Sequence, residues 1–476
     1  MSGAPRKSPH FLLALCTALT AATVAEAGWK RYLVSPGRLP AIALDAAGDP
    51  HISFLDDSHP NNYRLRHGSL TGNSGKVETV DQGDAGWDTS IAVDSVGHLH
   101  VSYHKTDNRT QTSGLHYAFF DGSSWTVTMV DSGAGLATSI AVDANDLPHI
   151  SYVGGVNGDE LRYAHFDGSN WIVEVARPGP LSAIYFGGTS LALTSTGAAH
   201  ITFSDWNLPR GLHHATNANG PWEVDDIGEG LDSSLAIDST GNLHVVFAVE
   251  TTPALDYAVS DGNTWTLSTI VAGAADHPGL ALDPDDRPHV SFYEDFARNG
   301  HHVEFLEYAR LDSGKWLIQP VLGNAAAERS GIALDSLGLP HIVGEAPTGS
   351  ESNGVVYAVL TLAELGPAWG DVQRITDTSG ETLRAELQVA NTGNARSKRA
   401  SFQCFLSDDA TLGLGDTFIG KRRNLPLIGA GRTGRVRMNL TSPTPVAGKF
   451  LIAVVVSANP ADEIDLNNNV AAAMIP

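Results

Sequence analysis

The chain has 476 residues, with 30 Lys or Arg against 53 Asp or Glu and a formal net charge of −23. An acidic balance of this size excludes nucleic acid and anionic membranes as natural partners, because both need a basic face. With only two cysteines, stability has to come from buried area, which a chain of this length can supply.

Arg6 and Lys7, the apolar run "FLLALCTALTAATV" and the small-residue stretch "AEAG" follow the order of a secretory signal, with cleavage expected after Ala27. Cys16 is preceded by Leu15, where a lipidation signal wants a small residue, so a lipid anchor is the disfavoured alternative. Cleavage removes Arg6, Lys7 and Glu26, leaving 28 basic and 52 acidic residues, a net charge of −24. Cys404 then stands alone and no intramolecular disulfide can form. In the alternating stretch "ASFQCFLS" it reads as a small buried hydrophobe. No later apolar run approaches the roughly 18 residues that span a bilayer. The mature protein is expected to be secreted (periplasmic, cell-surface or extracellular) and monomeric, without a membrane span.

From residue 43 a phrase recurs. "ALDAAGDPHISFLDD" returns as "SIAVDSVGHLHVSYH", "SIAVDANDLPHISYV", "SLALTSTGAAHITFS", "SLAIDSTGNLHVVFA", "GLALDPDDRPHVSFY" and "GIALDSLGLPHIVGE". The seven matching histidines, His51, His100, His149, His200, His244, His289 and His341, are separated by 49, 49, 51, 44, 45 and 52 residues. Most copies are followed by a second alternation such as "LHYAFF" or "LDYAVS", then by a turn and a tryptophan strand such as "DGSSWTVTMV". One unit is therefore four short strands with no helical period. Seven such units predict a β-propeller, each sheet a blade around a central axis. The N-terminal "GWKRYLVSPG" reads as a fourth strand without three strands before it, while the seventh unit stops after "VVYAVL". Trp29's strand is expected to complete the last blade, with "AWGDVQRITDTSG" and its Trp369 as the competing candidate.

Over residues 28–362 the sequence resembles the seven-bladed propellers of secreted bacterial proteins. Its "DGxxW" turns look like degenerate relatives of the Asp-box of sialidase-type blades. The resemblance speaks for the fold and little for function, because propellers host lectins, hydrolases, lyases and scaffolds.

Each copy carries an acid before its turn and a histidine after it. The acids are Asp45, Asp94, Asp143, Asp238, Asp283 and Asp335, with Thr194 in the fourth copy. The carboxylate can accept backbone N–H groups across the turn and hold the histidine by a charge-assisted hydrogen bond. A catalytic centre breaks symmetry, whereas these pairs repeat, so they read as structural; a symmetric glycan or metal pocket in each blade is the alternative. Tyr117, Tyr163, Tyr257, Tyr308 and Tyr357 and the tryptophan series read as packing residues.

Ligand candidates lie instead in the irregular loops of one face. Trp87, Tyr185 and Trp206 are candidate stacking platforms for sugar rings. The longest predicted loop, "YEDFARNGHHVEF", offers Asp295, Arg298 and His301 beside Glu294, His302 and Glu304, a set suited to a divalent ion or to acid–base work but matching no metal motif. A sialidase-like enzyme would require an arginine cluster, yet the arginines of this face are chiefly Arg109, Arg210 and Arg298. Neither G-x-S-x-G nor H-E-x-x-H occurs, and no phosphate-cradling glycine loop is present.

Residues 363–476 change character to alternating strands at sandwich spacing. "ANTGNA", "FLSDDATLGLGDTFIG", "GKFLIAVVVS" and "DEIDLNNNV" resemble the bacterial adhesion-type immunoglobulin-like module called CARDB. That resemblance implies a seven-stranded sandwich acting as a spacer or contact module, with no catalysis. Asp408, Asp409 and Asp416, and Asp462, Glu463 and Asp465, lack the oxygen spacing of a dedicated calcium loop and read as turn formers. The whole is thus expected to be all-β: a signal peptide (1–27), a seven-bladed propeller (28–362) closed by its N-terminal strand, and an immunoglobulin-like sandwich (363–476). The expected function is recognition without catalysis, the partner an extracellular glycan or protein, with no cofactor apart from calcium as an open option. A glycan-cleaving enzyme and a structural spacer are the rival readings.

Overall fold

The computed structural model describes most of residues 28–475. Outside the described residues lie 1–27 and a set of loop segments, the longest being 108–111, 180–187, 206–210, 348–352, 392–396, 411–416 and 458–469. Among the described residues there is no helix, and strands account for the regular structure.

Strands before residue 362 form seven four-stranded antiparallel sheets. Six of them are meanders of consecutive strands, opening with Arg38–Leu44, Ala85–Val93, Leu136–Val142, Thr189–Leu193, Leu231–Ile237 and Ala275–Leu282. The seventh joins Gly331–Leu334, Pro340–Pro347 and Asn353–Thr361 to the N-terminal strand Gly28–Pro36. There Trp29 pairs with Leu360, three residues beyond Tyr357, just as Trp125 pairs with Phe120 three beyond Tyr117. The N-terminal strand therefore takes the register of the missing fourth strand. Trp369, the competing candidate, belongs to the C-terminal sandwich, where its Nε1 donates to the carbonyl of Ala471 at 3.1 Å.

The opening strand of each sheet packs on that of the next, and the seventh packs on the first. Between successive sheets lies an apolar cluster. Leu115, Ile140, Ile150 and Tyr152 join the second and third sheets, for example, and Ile52, Phe54, Val343 and Tyr357 join the seventh and first. Second strands such as Pro148–Gly154 and Leu243–Val249 are buried along their whole length, with sheets packed on both faces. Fourth strands such as Trp171–Arg177 are largely exposed. Tryptophans staple neighbours together: Trp171 stands edge-on to Tyr117, Trp222 to Tyr163, Trp316 to Tyr257 and Trp29 to Tyr308, at 5.0–5.5 Å.

The repeated acid closes its own turn. Asp94 Oδ1 accepts the amides of Val96 and His98 at 3.0 and 2.7 Å, and Asp143 those of Asn145 and Leu147 at 2.9 and 2.8 Å. Asp45, Asp238, Asp283 and Asp335 repeat the pattern, and Thr194 accepts the amide of Ala198 at 3.0 Å. The other carboxylate oxygen lies 3.2–3.7 Å from Nε2 of His51, His100, His149, His244, His289 and His341. In five sheets Nδ1 meets a tyrosine hydroxyl of the adjacent third strand: Tyr117 at 2.7 Å, Tyr308 and Tyr357 at 2.6 Å, with Tyr163 and Tyr257 placed alike. In the first and fourth sheets a second imidazole replaces the tyrosine, His67 facing His51 at 3.1 Å and His214 facing His200 at 3.0 Å. Removing the imidazole of His149 leaves the Tyr163 hydroxyl without that partner and takes one contact from Asp143, which keeps its bonds to Asn145 and Leu147. His149→Ala is expected to cost about 1–3 kcal/mol, read as a shift in denaturation midpoint with ligand binding intact. Lost binding at unchanged stability would assign His149 a binding role instead.

One predicted loop is a hairpin. "YEDFARNGHHVEF" forms the ends of strands Pro288–Arg298 and His301–Asp312, pairing Asp295 with Glu304 and Arg298 with His301. Alternating Phe292, Val303 and Phe305 extend the two-residue period past the point where the charges suggested a loop.

After residue 364 the strands form a three-stranded sheet (Leu365–Asp377, Gly380–Asn391, Arg432–Thr441) and a four-stranded one (Thr417–Arg422, Ala400–Ser407, Phe450–Ser457, Val470–Met474). Leu383, Leu387, Phe402, Leu451 and Val455 fill the space between them. Cys404 is fully buried in this core, and burial pushes its thiol up to about 12, so it is inert. Asp408 is paired with Lys449 at 2.7 Å, and no group of three or more metal-ligating side chains occurs among the described residues; Asp416, Asp462, Glu463 and Asp465 lie outside them.

Candidate functional site

The opening strands enter through a shared distortion. Five of the seven carry a register shift near their start, and a residue there takes a left-handed backbone: Leu39 (φ 54°), Asp88 (50°), Ala137 (55°), Asp232 (48°) and His277 (49°), with Gly188 (58°) at the same place in the fourth sheet. Such a bulge re-aims the strand. For a residue with a Cβ it costs on the order of 1–2 kcal/mol, which the surrounding sheets must over-determine.

The next residue ties neighbouring sheets by hydroxyl pairs. Thr89 bonds Ser53 at 2.9 Å, Thr138 bonds Ser102 at 2.9 Å, Thr189 bonds Ser151 at 2.7 Å, Ser233 bonds Thr202 at 2.8 Å and Ser330 bonds Ser291 at 2.9 Å. At the two remaining places stand Pro40 and Pro278, with Val343 and Val246 at the register position of the serine. One residue further on, Ser90, Ser139, Ser190 and Ser234 accept the amides of Ile140, Leu191, Leu235 and Leu280 at 2.9–3.2 Å. Together these residues line a cavity of about 220 Å³ to which all seven opening strands contribute, walled mainly by small hydroxylated side chains.

Charge enters through the distorted position and is not repeated. Asp88 Oδ2 accepts the amide of Ala137 at 2.9 Å. Asp232 lies 3.8 Å from Nε2 of His277, whose Nδ1 lies 3.1 Å from Asp276. Arg329 reaches from the seventh sheet to the second, its Nη1 3.3 Å from the carbonyl of Thr89. Its own carbonyl accepts the Tyr293 hydroxyl at 3.3 Å. That hydroxyl accepts the amide of the fully buried Glu345 at 2.7 Å, and Glu345 Oε1 accepts the amide of Leu39 at 2.8 Å. The arginine's place is thus set by a buried relay between the sixth, seventh and first sheets.

Burial pushes the Asp232 carboxyl up to about 6, Asp276 adding to the rise and His277 opposing it. Burial acts to lower His277, but the hydrogen bond to Asp276 and the charge of Asp232 hold it above its ordinary value. His277 is thus held toward its charged form against the Asp232 carboxyl, with Arg329 acting on both. Such a group can bind a polyhydroxylated ligand by charge-assisted hydrogen bonds and can exchange protons near pH 6.

Of the residues singled out by sequence, Trp87 adjoins this cluster through Asp88. It is half-buried, edge-on to Tyr63 at 5.5 Å, with the Arg38 guanidinium 5.3 Å from its ring centre. Tyr185 and Trp206 lie outside the described residues. Asp295 is half-buried in the sixth sheet, its amide bonded to the carbonyl of Ala274 at 3.0 Å, and for Arg298 and His301 only the backbone pairing is described. Sequence reading passed over Asp88, Asp232 and Arg329. The available signal was the residue two or three places before each repeated "SIAV"-type phrase, a variable column in an otherwise regular repeat.

Residues 371–473 match the family CARDB. No curated protein matches the chain. Solved structures to which it is similar include a protein of unknown function from Dyadobacter fermentans (11% identity, TM-score 0.44, covering 70% of this chain and 99% of that one). A polysaccharide lyase of family PL25, an ulvan lyase, bound to -[GlcA(1-4)Rha3S]-, matches at 10% identity and TM-score 0.47 over 68% and 94% of the two chains. The Aleuria aurantia lectin, in complex with Fucalpha1-6GlcNAc, matches at 10% identity and TM-score 0.38 over 56% and 93%.

Proposed function

We propose that the seven sheets are the blades of a closed propeller, that the chain is exported after loss of residues 1–27, and that it recognises an extracellular glycan at the end of the propeller channel. The C-terminal sandwich then serves as spacer or contact module. The cyclic order of packing among the opening strands supports the closed ring. One observation carries the functional reading: the charged side chains Asp88, Asp232, Asp276, His277 and Arg329 break the sevenfold repeat, and they do so beside a cavity walled by hydroxyls. Repeated residues are what the repeat needs to hold its blades together; these unrepeated charges also touch neighbouring sheets, but the repeat does not call for them. Hydroxyl walls with a few charged donors and acceptors suit a sugar better than an apolar ligand.

The test is a glycan array with residues 28–476, comparing the unaltered chain with Asp232→Asn and Arg329→Ala. Selective binding is expected, weakened at least about tenfold by either substitution, the loss anticipated for one hydrogen bond to a charged group, with melting unchanged. An array silent for the unaltered chain overturns the glycan assignment. The enzyme reading draws on Asp232 and His277 alone, a carboxyl pushed up to about 6 beside an imidazole held above its ordinary value. Glycan turnover abolished by Asp232→Asn would put that reading in place of recognition.

A further inference from the structure

A second unrepeated feature lies away from the channel, in the polar layer between blades. On the third strand of the first six sheets one position faces a large aromatic of the second strand: Arg66 opposite Phe54, His116 opposite Tyr103, Arg162 opposite Tyr152, His213 opposite Phe203, Asp256 opposite Phe247 and Glu307 opposite Phe292; in the seventh, Val356 faces Gly344. The first four sheets therefore carry a base here, and the next two an acid.

Where the base is present, the layer is balanced. Arg66 pairs with Asp56 at 2.9 Å, and Arg162 with Asp131 and Glu160, each at 2.7 Å. In the second sheet Lys105 meets Asp81 at 2.8 Å, and in the fourth His213 meets Asp226 at 2.6 Å. The sixth sheet inverts the arrangement. Glu307 is 6% exposed, and its Oε2 is buried without a hydrogen-bond partner. Its diagonal neighbour on the same sheet face is Glu294, which pairs in register with Phe305. Phe292 and Ala309 of this face pack with Val246, Tyr257 and Ile270, so both acids look toward the fifth sheet. There the register position of Asp131 is filled by the apolar Val271. Gly273 leaves room beside the second acid: a Cβ there would stand 3.8 Å from Glu294 Oε1.

Two carboxylates thus stand close together on the face between the fifth and sixth sheets, one buried with an unpartnered oxygen, the other half-buried. Among the described residues no basic group is seen to offset either. Burial, with Glu294 adding to it, pushes Glu307 up to about 7, the expected response of a carboxylate left without a cation.

From this inversion of a motif that is charge-balanced in sheets one to four, we infer that the cleft between the fifth and sixth sheets binds the protonated primary amine of a ligand, in the place that Arg162 fills in the third sheet. An ammonium group offers three donors in a small volume, which two carboxylates can accept between them. A divalent metal fits less well, because calcium wants six to eight oxygens and no group of three ligating side chains is present among the described residues. This cleft is distinct from the channel cluster, so the inference stands or falls apart from the glycan reading.

The experiment is calorimetric titration of the purified chain, residues 28–476, at neutral pH with methylammonium, D-glucosamine and Nα-acetyl-lysine amide, against D-glucose and sodium chloride at equal ionic strength. Binding of the amines but not of glucose is expected. The stronger of glucosamine and the lysine amide identifies a glycan or a protein as the source of the amine. Glu307→Gln is expected to melt no lower than the unaltered chain, since it removes an uncompensated buried acid, and to lose at least about tenfold in amine affinity. Glu307→Arg, which supplies the cation from within, is expected to abolish amine binding altogether. Amine binding untouched by both substitutions, or no amine binding by the unaltered chain, overturns the inference. A response to calcium chloride alone that is lost in Glu307→Gln replaces it with a metal site.

Discussion

A chain beginning at Arg38, lacking Gly28–Pro36, is expected to lose the cooperative unfolding of its seven-sheet portion. The missing strand carries the whole outer ladder of the seventh sheet, from Gly28 opposite Thr361 to Pro36 opposite Gly354. Its loss bares a long sheet edge, a template for aggregation. Trp29 also leaves Tyr308, which it meets edge-on at 5.5 Å, and Tyr32 leaves Tyr357, on which it stacks at 5.8 Å. Full burial of each large apolar side chain is worth about 1.5–3 kcal/mol, and Trp29, Tyr32 and Val34 all pack against core clusters. Their sum is a large share of the roughly 5–15 kcal/mol that holds a domain together. Near-ultraviolet circular dichroism and limited proteolysis read the effect, and a synthetic peptide of residues 28–36 added in trans is expected to restore part of it. Cooperative melting within about 5 °C of the complete chain, a shift that corresponds to only a few kcal/mol, would show that this strand does not hold the seven sheets together. Trp29→Ala is the milder form, expected to cost about 3 kcal/mol.

The second large effect is with pH. Stability is expected to be level above neutrality and to fall steadily as pH drops from about 6.5 to 4. Burial holds His51, His67, His100, His104, His116, His149 and His200 below the ordinary histidine value, His67 and His200 at about 4. The folded chain keeps these imidazoles neutral while the unfolded chain takes up protons, so their contribution is present above the unfolded value and lost on acidification. For a group moved as far as His67 the loss at pH 4 is about 3 kcal/mol. Asp232, at about 6, Glu307, at about 7, and His277 are shifted upward, and their effect has the opposite sign, stabilising at low pH and fading as pH rises through their folded values. They are fewer and soften the fall without reversing it. Below the ordinary carboxylate range a second loss follows. Burial acts against the charge of Asp94, Asp143, Asp238, Asp283 and Asp335, yet hydrogen bonds from turn amides and histidines hold all five low, so their protonation breaks the turns. Urea midpoints measured from pH 8 to pH 4 decide the matter; a midpoint constant down to pH 4.5 would mean that these imidazoles are protonated in the folded chain.

Much of this architecture was legible because its signals are local and repeated. The period of the "SIAVD…PHISY" phrase, the turn chemistry of Asp143 and Asp238, and the two-residue alternation around them need only near neighbours in the chain. Their contacts run two, four or six residues away, as from Asp238 to Thr240, Asn242 and His244. Even the destination of Trp29 was readable, since its strand lacked companions at one end of the chain while the seventh unit lacked a strand at the other.

The candidate site was not legible, because its members meet only through the arrangement of the sheets. Arg329 touches Thr89 across 240 positions of sequence, and Asp232 meets His277 across 45. No spacing rule links such pairs. Loop aromatics and the charges of "YEDFARNGHHVEF" drew attention by composition, whereas Asp88, Asp232 and Arg329 are single letters in a variable column. The sequence by itself determined the repeating unit, its turns and its strand order, for these depend on backbone preference and short-range hydrogen bonds. Tertiary structure decided which unrepeated side chains meet beside a cavity and which acid is left without a cation, for burial and charge balance depend on what the neighbouring sheet presents.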